Sequence, residues 1–267
     1  MTPARLLAIK IGNTNLAFGL YDARAEKNSF SEKLAHSWRA ETRVEKTADE
    51  YAALLLTHLE SAEIPPASIC AIAIVSVVPP LTEIMRELAV NYFNVEPFIA
   101  GAGVKSGIQI KYDDPRALGA DRLVALVGAK TKYGTPCIVI DLGTATTFNA
   151  LDARGAFIGG AIAPGLNMSA QALHEFTAKL PRIEIAAPSN ALAKNTRDAL
   201  RSGIFFGYVG LVDGMIARFK QEMNEANARV IATGGMSALL APYCPAIEIV
   251  DINLSLDGLR MLYEMNA

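Results

Sequence analysis

Two similar α/β halves in one chain are what the 267-residue sequence predicts, and three observations carry that prediction. An apolar run, Leu6 to Ile11, turns through Gly12-Asn13-Thr14-Asn15 into a second apolar run, Leu16 to Tyr21. The same design returns where Ile138-Val-Ile-Asp-Leu142 leads through Gly143-Thr144-Ala145-Thr146-Thr147 into Phe148 to Leu151. Each copy is then followed by helical spacing and a buried strand that ends in a turn. The copies stand about 130 residues apart, far beyond the 20 to 50 residues of a solenoid repeat, so the period implies duplication of a whole domain. In the alignment of the copies Lys10 falls on Asp141, Gly12 on Gly143, Asn13 on Thr144 and Asn15 on Thr146.

The elements follow in order. Apolar runs bounded by turn residues make the first segment a β-hairpin. Arg24, Lys27, Lys33, Arg39 and Arg43 surround Trp38 and fit a solvated face with one packed aromatic. Thr47-Ala-Asp-Glu50 is a capping box opening a helix to about Ala62, with Tyr51, Leu54, Leu55, His58 and Leu59 on one stripe. Ile69 to Val78, the longest apolar stretch, is half the ~20 residues of a membrane helix and reads as a buried strand closed by a Pro79-Pro80 turn. Asp113-Asp114-Pro115 breaks structure, which sets the division into domains at 1–117 and 118–267. A helix follows from Gly119 to Tyr133, with Gly134 suited to the left-handed position after its end. Beyond the second hairpin, Gly159-Gly160 and Pro164-Gly165 read as turns. Thr196 caps a long helix through Phe219 whose several glycines imply close packing. A strand, Arg229 to Ala232, precedes Thr233-Gly234-Gly235, and Leu256 to Met265 forms a last short helix.

Composition excludes several classes. Hydrophobic residues make up 51% and charged residues 19%, which disfavours disorder and coiled coil. The net charge is −2 with no long run of one sign, so the electrostatic footprint of a nucleic-acid binder is missing. Met1-Thr-Pro-Ala-Arg-Leu-Leu7 lacks the pattern of an export signal, and neither a membrane nor a nucleic acid is expected as a partner of what reads as a cytoplasmic protein. Cys70, Cys137 and Cys244 are odd in number and far apart, which fits reduced thiols. His36, His58 and His174 have no ligand spacing between them.

The turns carry the chemistry. A Gly-rich hairpin turn can aim backbone N–H groups at phosphate oxygens, with Asn and Thr side chains adding donors, and two such turns can clamp a polyphosphate. Taken singly, each does no more than close its hairpin. Asp141 ends an apolar strand, where its charge needs either a bound cation or N–H groups of its own turn. Asp121, at the start of a helix, is favoured by the helix dipole whatever its function. It could equally be a base that takes a proton from a hydroxyl, while Arg122 holds a carboxylate of the same substrate by two parallel hydrogen bonds.

These residues, taken together, resemble the type III pantothenate kinases, of the actin-like acetate and sugar kinase superfamily. The resemblance spans nearly the whole chain, in Ile11-Gly-Asn-Thr-Asn15, Tyr112-Asp-Asp-Pro115, Gly119-Ala-Asp-Arg122, Asp141-Leu-Gly-Thr-Ala-Thr146, Gly159-Gly-Ala-Ile-Ala-Pro-Gly165, Leu180-Pro181, Asn195-Thr196 and Thr233-Gly-Gly235. It implies an α/β fold of two duplicated actin-like (ribonuclease H-like) domains with a nucleotide cleft between them. It also implies ATP-dependent phosphorylation of pantothenate to 4'-phosphopantothenate, the first step of coenzyme A biosynthesis, in a homodimer. Carried over, Asp121 is the proton acceptor. Tyr112, Gly119, Ala120, Asp121 and Arg122 line the pantothenate pocket, with Thr196 supplied by the partner subunit. Lys10, Ile11, Gly12, Asn13, Thr14, Asn15, Leu16, Ala17 and Thr144 hold ATP, and Asp141 binds the monovalent cation, K+ or NH4+, needed beside Mg2+.

Lys10 departs from the pattern, since the family carries an aspartate there that faces the phosphates and their magnesium. The exchange changes local charge by two units, and one unit pair at about 4 Å is worth roughly 4 kcal/mol at an effective dielectric near ~20. Either the lysine contacts a phosphate directly in a working kinase, or the chain is a catalytically impaired relative that acts as a nucleotide- or pantothenate-binding regulator or partner subunit. A role as a transcription accessory protein fits poorly with the absence of a basic patch.

Overall fold

The structure is a computed structural model that describes residues 4–24, 26 and 28–267. The first sheet contains β1 (Arg5–Ile11), β2 (Asn15–Asp22), β3 (His36–Glu41), β4 (Ile69–Ser76) and β5 (Phe98–Ala100), in the order β3-β2-β1-β4-β5. Two helices, α1 (Ala48–Ser61) and α2 (Pro79–Phe93), lie between its strands in sequence, and α3 (Ala120–Tyr133) follows. The second sheet contains β6 (Cys137–Leu142), β7 (Ala145–Leu151), β8 (Phe157–Pro164), β9 (Arg229–Thr233) and β10 (Ile249–Val250), in the order β10-β9-β6-β7-β8. Its helices are α4 (Leu166–Glu175), α5 (Thr196–Met223) and the short α6 (Ser237–Leu240), and α7 (Leu254–Asn266) ends the chain.

The duplication extends to every strand. In each sheet the first strand pairs antiparallel with the second and parallel with the fourth, the second pairs antiparallel with the third, and the fourth pairs parallel with the fifth. The two hairpin turns are not identical, however. Ile11 pairs with Leu16 but Leu142 pairs with Thr146, so the second turn is one residue shorter. Counted back from the second strand, Asn15 therefore corresponds to Ala145 rather than Thr146, which corrects that part of the alignment.

Strand periodicity places the polar ends of both first strands. Leu7, Ile9 and Ile11 point into a core with Tyr51, Leu55 and Leu59 of α1 and Leu81, Met85 and Leu88 of α2. Side chains alternate along a strand, so Lys10 lies on the opposite face. In the second sheet Ile138, Ile140 and Leu142 pack with Phe205, Tyr208, Val212 and Ile216 of α5, which leaves Asp141 on the other face.

The capping box is present as read: Thr47 accepts from Glu50 N–H and Glu50 accepts from Thr47 N–H. Gly134 takes φ +78 after α3, as its position after a helix end requires. Pro79-Pro80 does not close a turn but opens α2, because a proline in the first helical turn gives up an N–H that has no intrahelical acceptor anyway. Gly159 and Gly160 lie inside β8, while Gly165 caps α4. The cap of α5 is Asn195, whose side chain accepts from Asp198 N–H; Thr196 is the first helical residue, and the helix runs past Phe219 to Met223. Trp38 is half-buried and stacks between His36 and His58, with ring centroids 5.9 and 5.7 Å away. Lys27 and residues 1–3 lie outside the described residues.

Packing divides the chain into two compact units that interleave in sequence: 1–107, 114–128 and 254–267 form one, and 108–113 and 129–253 the other. This differs from consecutive domains of 1–117 and 118–267 at 108–113, at 118–128 and at the C-terminus, where α7 lies on β1, β2, β4 and β5 of the first sheet. Tyr21 Oη donates to Asp257 Oδ1 at 2.8 Å and the Phe30 N–H donates to Glu264 at 2.7 Å, fastening that helix.

All three cysteines are free. Burial pushes the Cys137 and Cys244 thiols up to about 12, whereas Cys70 is exposed. A thiol-specific reagent at neutral pH is therefore expected to modify one cysteine in the native protein and all three after denaturation, since the thiolate is the reactive form. Native labelling of Cys137 or Cys244 would contradict the packing described.

Candidate active site

The first turn leaves β1 at Ile11 and is closed by Gly12 N–H donating to Asn15 O at 3.0 Å. Thr42, just past β3, holds it from outside: its hydroxyl donates to Gly12 O at 2.6 Å and its N–H to Thr14 O at 3.0 Å. Asn13, Thr14 and Asn15 are exposed, so the turn presents short polar side chains on a braced backbone. Ile11, Leu16 and Ala17 are buried beneath it. Lys10, half-buried, donates from Nζ to Ser255 Oγ of α7 at 3.0 Å.

The second turn, Gly143-Thr144, is braced from the matching place in its own sheet, just past the third strand, β8. Gly165 N–H donates to Thr144 O at 3.1 Å. A Cβ at Gly165 would overlap the Thr144 carbonyl and stand 2.5 Å from Gly143 O, so only glycine allows this approach. Thr144 is exposed, as a phosphate donor must be. Thr146 is not: it is buried and its hydroxyl shares a hydrogen bond with Tyr208 Oη of α5, which also lies 3.0 Å from Pro164 O. That threonine ties the turn to the helix. Burial raises the Tyr208 phenol above its ordinary value, which keeps it a neutral donor.

Asp141 ends β6 half-buried, one residue before the ladder closes. Its ladder neighbours are Thr147 and Thr233, and its carboxylate lies against Gly143 and Gly234, whose φ is +91. Among the described residues no group of three or more His, Cys, Asp or Glu side chains could hold a metal ion. Any metal at Asp141 would thus have fewer than three such side chains among the described residues and would need hydroxyl, carbonyl or ligand oxygens as well, a set suited to a hard cation.

Asp121 sits in the first turn of α3, half-buried, with its carboxylate folded back over Gly119: a Cβ there would lie 2.6 Å from Oδ1. The N–H groups of Arg122 and Leu123 go to Gly119 O, both at 3.1 Å. Among the described residues no hydrogen bond or ion pair engages the Asp121 side chain, in contrast to Thr47, Asp114 and Asn195, which each accept from a backbone N–H as helix caps do. Arg122 is buried beside it. Tyr112 packs on Phe157 at 4.8 Å between centroids, and Thr196 is exposed at the start of α5. Lys10 to Ala17 and Gly119 to Arg122 belong to the first unit; Tyr112, Asp141, Thr144 and Thr196 belong to the second.

The model of the type III pantothenate kinase family matches residues 6–218. The chain belongs to that family. The type III pantothenate kinase of Geotalea daltonii is 46% identical over 98% of both chains, and that of Geobacter sulfurreducens is 45% identical over 98% of this chain and 99% of its own. Among solved structures, a conserved Baf family protein from Campylobacter jejuni superposes with a TM-score of 0.58 at 20% identity, covering 96% of each chain, a likeness of fold alone. Two sheets of identical topology and a full-length match agree with the duplicated actin-like fold. Nothing local in the sequence of this family member marks Thr42 or Ser255. Thr42 reaches the first turn and Ser255 reaches Lys10 of β1, each from a distant element, and only the sheet order and the packing of α7 bring them there.

Proposed function

We propose that this chain transfers the γ-phosphoryl group of ATP to the primary hydroxyl of pantothenate, the first step toward coenzyme A. The observation that carries this reading is full-length identity of about 45% to type III pantothenate kinases, joined to an Asp121 carboxylate that no hydrogen bond or ion pair engages among the described residues.

Phosphoryl transfer asks a protein mainly for alignment and charge neutralisation. Arg122 would hold the pantothenate carboxylate through two parallel hydrogen bonds, with Tyr112, Gly119 and Ala120 beside the rest of the molecule. Asp121 would take the proton of the attacking hydroxyl as its oxygen bonds to the γ-phosphorus and the bond to the bridging oxygen breaks, releasing ADP. The N–H groups and short side chains of Gly12 to Asn15, with Thr144, would fix the phosphates. A kinase of this family uses ATP with a divalent metal, which spreads the developing charge when bound. Without a cage of carboxylates among the described residues, Mg2+ fits as an ion held mostly by the nucleotide's own phosphates. Asp141 would bind the monovalent cation, K+ or NH4+.

We also propose a homodimer, working in the cytoplasm. Its support is the outer face of α5. Gly203, Gly207 and Gly210 are exposed there, with nothing within 4 Å of where a Cβ would stand. Glycines inside a helix cost about 1 kcal/mol each relative to alanine, a cost that close approach of a second helix offsets. The most apolar 18-residue window of α5 has a mean hydropathy of 1.3 with 33% of it buried, so apolar surface remains after its inner face is packed. Thr196, which the resemblance assigns to the partner subunit's pantothenate pocket, starts the same helix. Gly207→Arg is expected to convert a dimer to a monomer in sedimentation and to lower turnover at least about tenfold, as loss of a substrate contact would. A variant that stays dimeric, or a monomer with full turnover, would rule this arrangement out.

The kinase reading is tested by coupled measurement of ADP release with ATP, Mg2+ and K+, adding either pantothenate or a hydroxy acid of similar size. ADP release that depends on pantothenate is expected; equal release without it would leave only an ATPase.

A further inference from the structure

The two first strands end in opposite charges. Lys10 and Asp141 occupy the same register in the duplicated sheets, each one position before the last paired residue of its strand. Their surroundings differ accordingly. Asp141 is flanked in its ladder by Thr147 and Thr233, which bring hydroxyl oxygens to a carboxylate site, whereas Lys10 is flanked by Ala17 and Val75, which bring none. The hydroxyl beside Lys10 comes instead from α7, where Ser255, 4% exposed, accepts from Nζ at 3.0 Å.

We propose that Ser255 is a positioning residue for the nucleotide: it holds the Lys10 ammonium beside the first turn, where that charge meets the polyphosphate directly. The proposal rests on the kinase reading above and names how the first turn binds its phosphates. Three features support it. A lysine stem samples many rotamers, and a fixed acceptor removes most of that freedom before the ligand arrives. The acceptor is itself immobile, because Ser255 lies in the first turn of a helix buried from Leu254 to Leu262 and fastened two residues on by Tyr21 to Asp257 at 2.8 Å. And Lys10 stands two residues ahead of Gly12 in the chain, so the anchored residue borders the turn whose Asn13 and Thr14 are exposed. A fixed positive charge there does part of what a divalent ion does for a triphosphate. ATP binding to this chain should therefore depend weakly on magnesium.

The test is calorimetric titration of ATP into the full chain, once with Mg2+ and once with EDTA, for the wild type, Ser255→Ala, Ser255→Thr, Lys10→Met and the double variant Lys10→Met/Ser255→Ala. Expected results are a wild-type affinity in EDTA within about tenfold of that in Mg2+, a loss of about fivefold in EDTA for Ser255→Ala with recovery in Ser255→Thr, and a loss of about twentyfold or more for Lys10→Met. In the Lys10→Met background the alanine should have no further effect, because a residue that acts through another loses its influence when that other is gone. Equal losses from Ser255→Ala in both backgrounds would mean a merely structural serine and would overturn the proposal. So would a wild type that binds ATP only with Mg2+, or an EDTA affinity unchanged in Ser255→Ala. If any of these occurs while pantothenate is still phosphorylated, the kinase reading stands without this device; if the wild type neither binds ATP with Mg2+ nor phosphorylates pantothenate, both fall.

Discussion

Asp121→Asn is expected to lower pantothenate-dependent turnover by about 10²- to 10⁴-fold, the usual worth of a positioned general base. The amide keeps the size of the carboxylate and its place over Gly119, but cannot accept the hydroxyl proton. Because no protein group depends on this side chain among the described residues, its loss should leave the thermal midpoint and the affinity for ATP close to wild type. Thermal unfolding and nucleotide titration on the same preparation separate the two effects. A variant with more than about a tenth of wild-type turnover would remove Asp121 from proton transfer, and one that unfolds early would return it to the role of a structural residue at the helix start.

Gly234→Ala is expected to be among the most damaging single methyls in the second unit. Gly234 has φ +91, a conformation that L side chains avoid, and its Cβ would press on the Asp141 carboxylate and lie 2.6 Å from the Leu142 carbonyl carbon. The loop cannot move away easily, since Gly234 O accepts from Ser237 Oγ at 2.7 Å and Met236 N–H donates to Leu142 O at 3.1 Å. Backbone strain and overpacking together should cost about 2–4 kcal/mol. The same displacement moves the end of β6, so the KM for ATP should rise as well. Gly101→Ala, where nothing lies within 4 Å, is the control and should change stability by less than about 0.5 kcal/mol. Equal stability of the two variants would show that the loop after β9 yields more readily than its contacts imply.

What the sequence disclosed divides by range. The hairpins, the capping box at Thr47 and the end of α3 at Gly134 are written in neighbouring residues, and each stands where the pattern placed it. The duplication was legible because turn residues repeat with their strands, down to the register that sets Lys10 opposite Asp141. Local ambiguity accounts for the errors. Two prolines after a strand serve a turn or a first helical turn equally well, and α2 took the second course. Asn195 and Thr196 are both good caps, and one residue of phase decides between them. Thr146 carries a donor in the motif, yet strand alternation and Tyr208 turn it inward.

Long-range packing left no mark at all. That the last helix returns to the first sheet, that Thr42 braces the first turn, and that Ser255 meets Lys10 across 245 positions of sequence follow from strand order and helix docking, for which no residue in the segment concerned gives a sign. The same holds for Asp121. Its spacing fitted a cap and a base alike, and the absence of a bonded partner among the described residues is what separates it from the caps at Thr47, Asp114 and Asn195.

Phosphorus NMR of the chain incubated with ATP, Mg2+, K+ and pantothenate, with Asp121→Asn as the blank, follows the transferred group itself. A phosphate-monoester signal that grows with ADP in the wild type, and is lost in the blank, is the predicted result. ADP accompanied only by inorganic phosphate, or no ADP at all from a folded and ATP-binding wild type, would contradict the assignment of this chain as a pantothenate kinase.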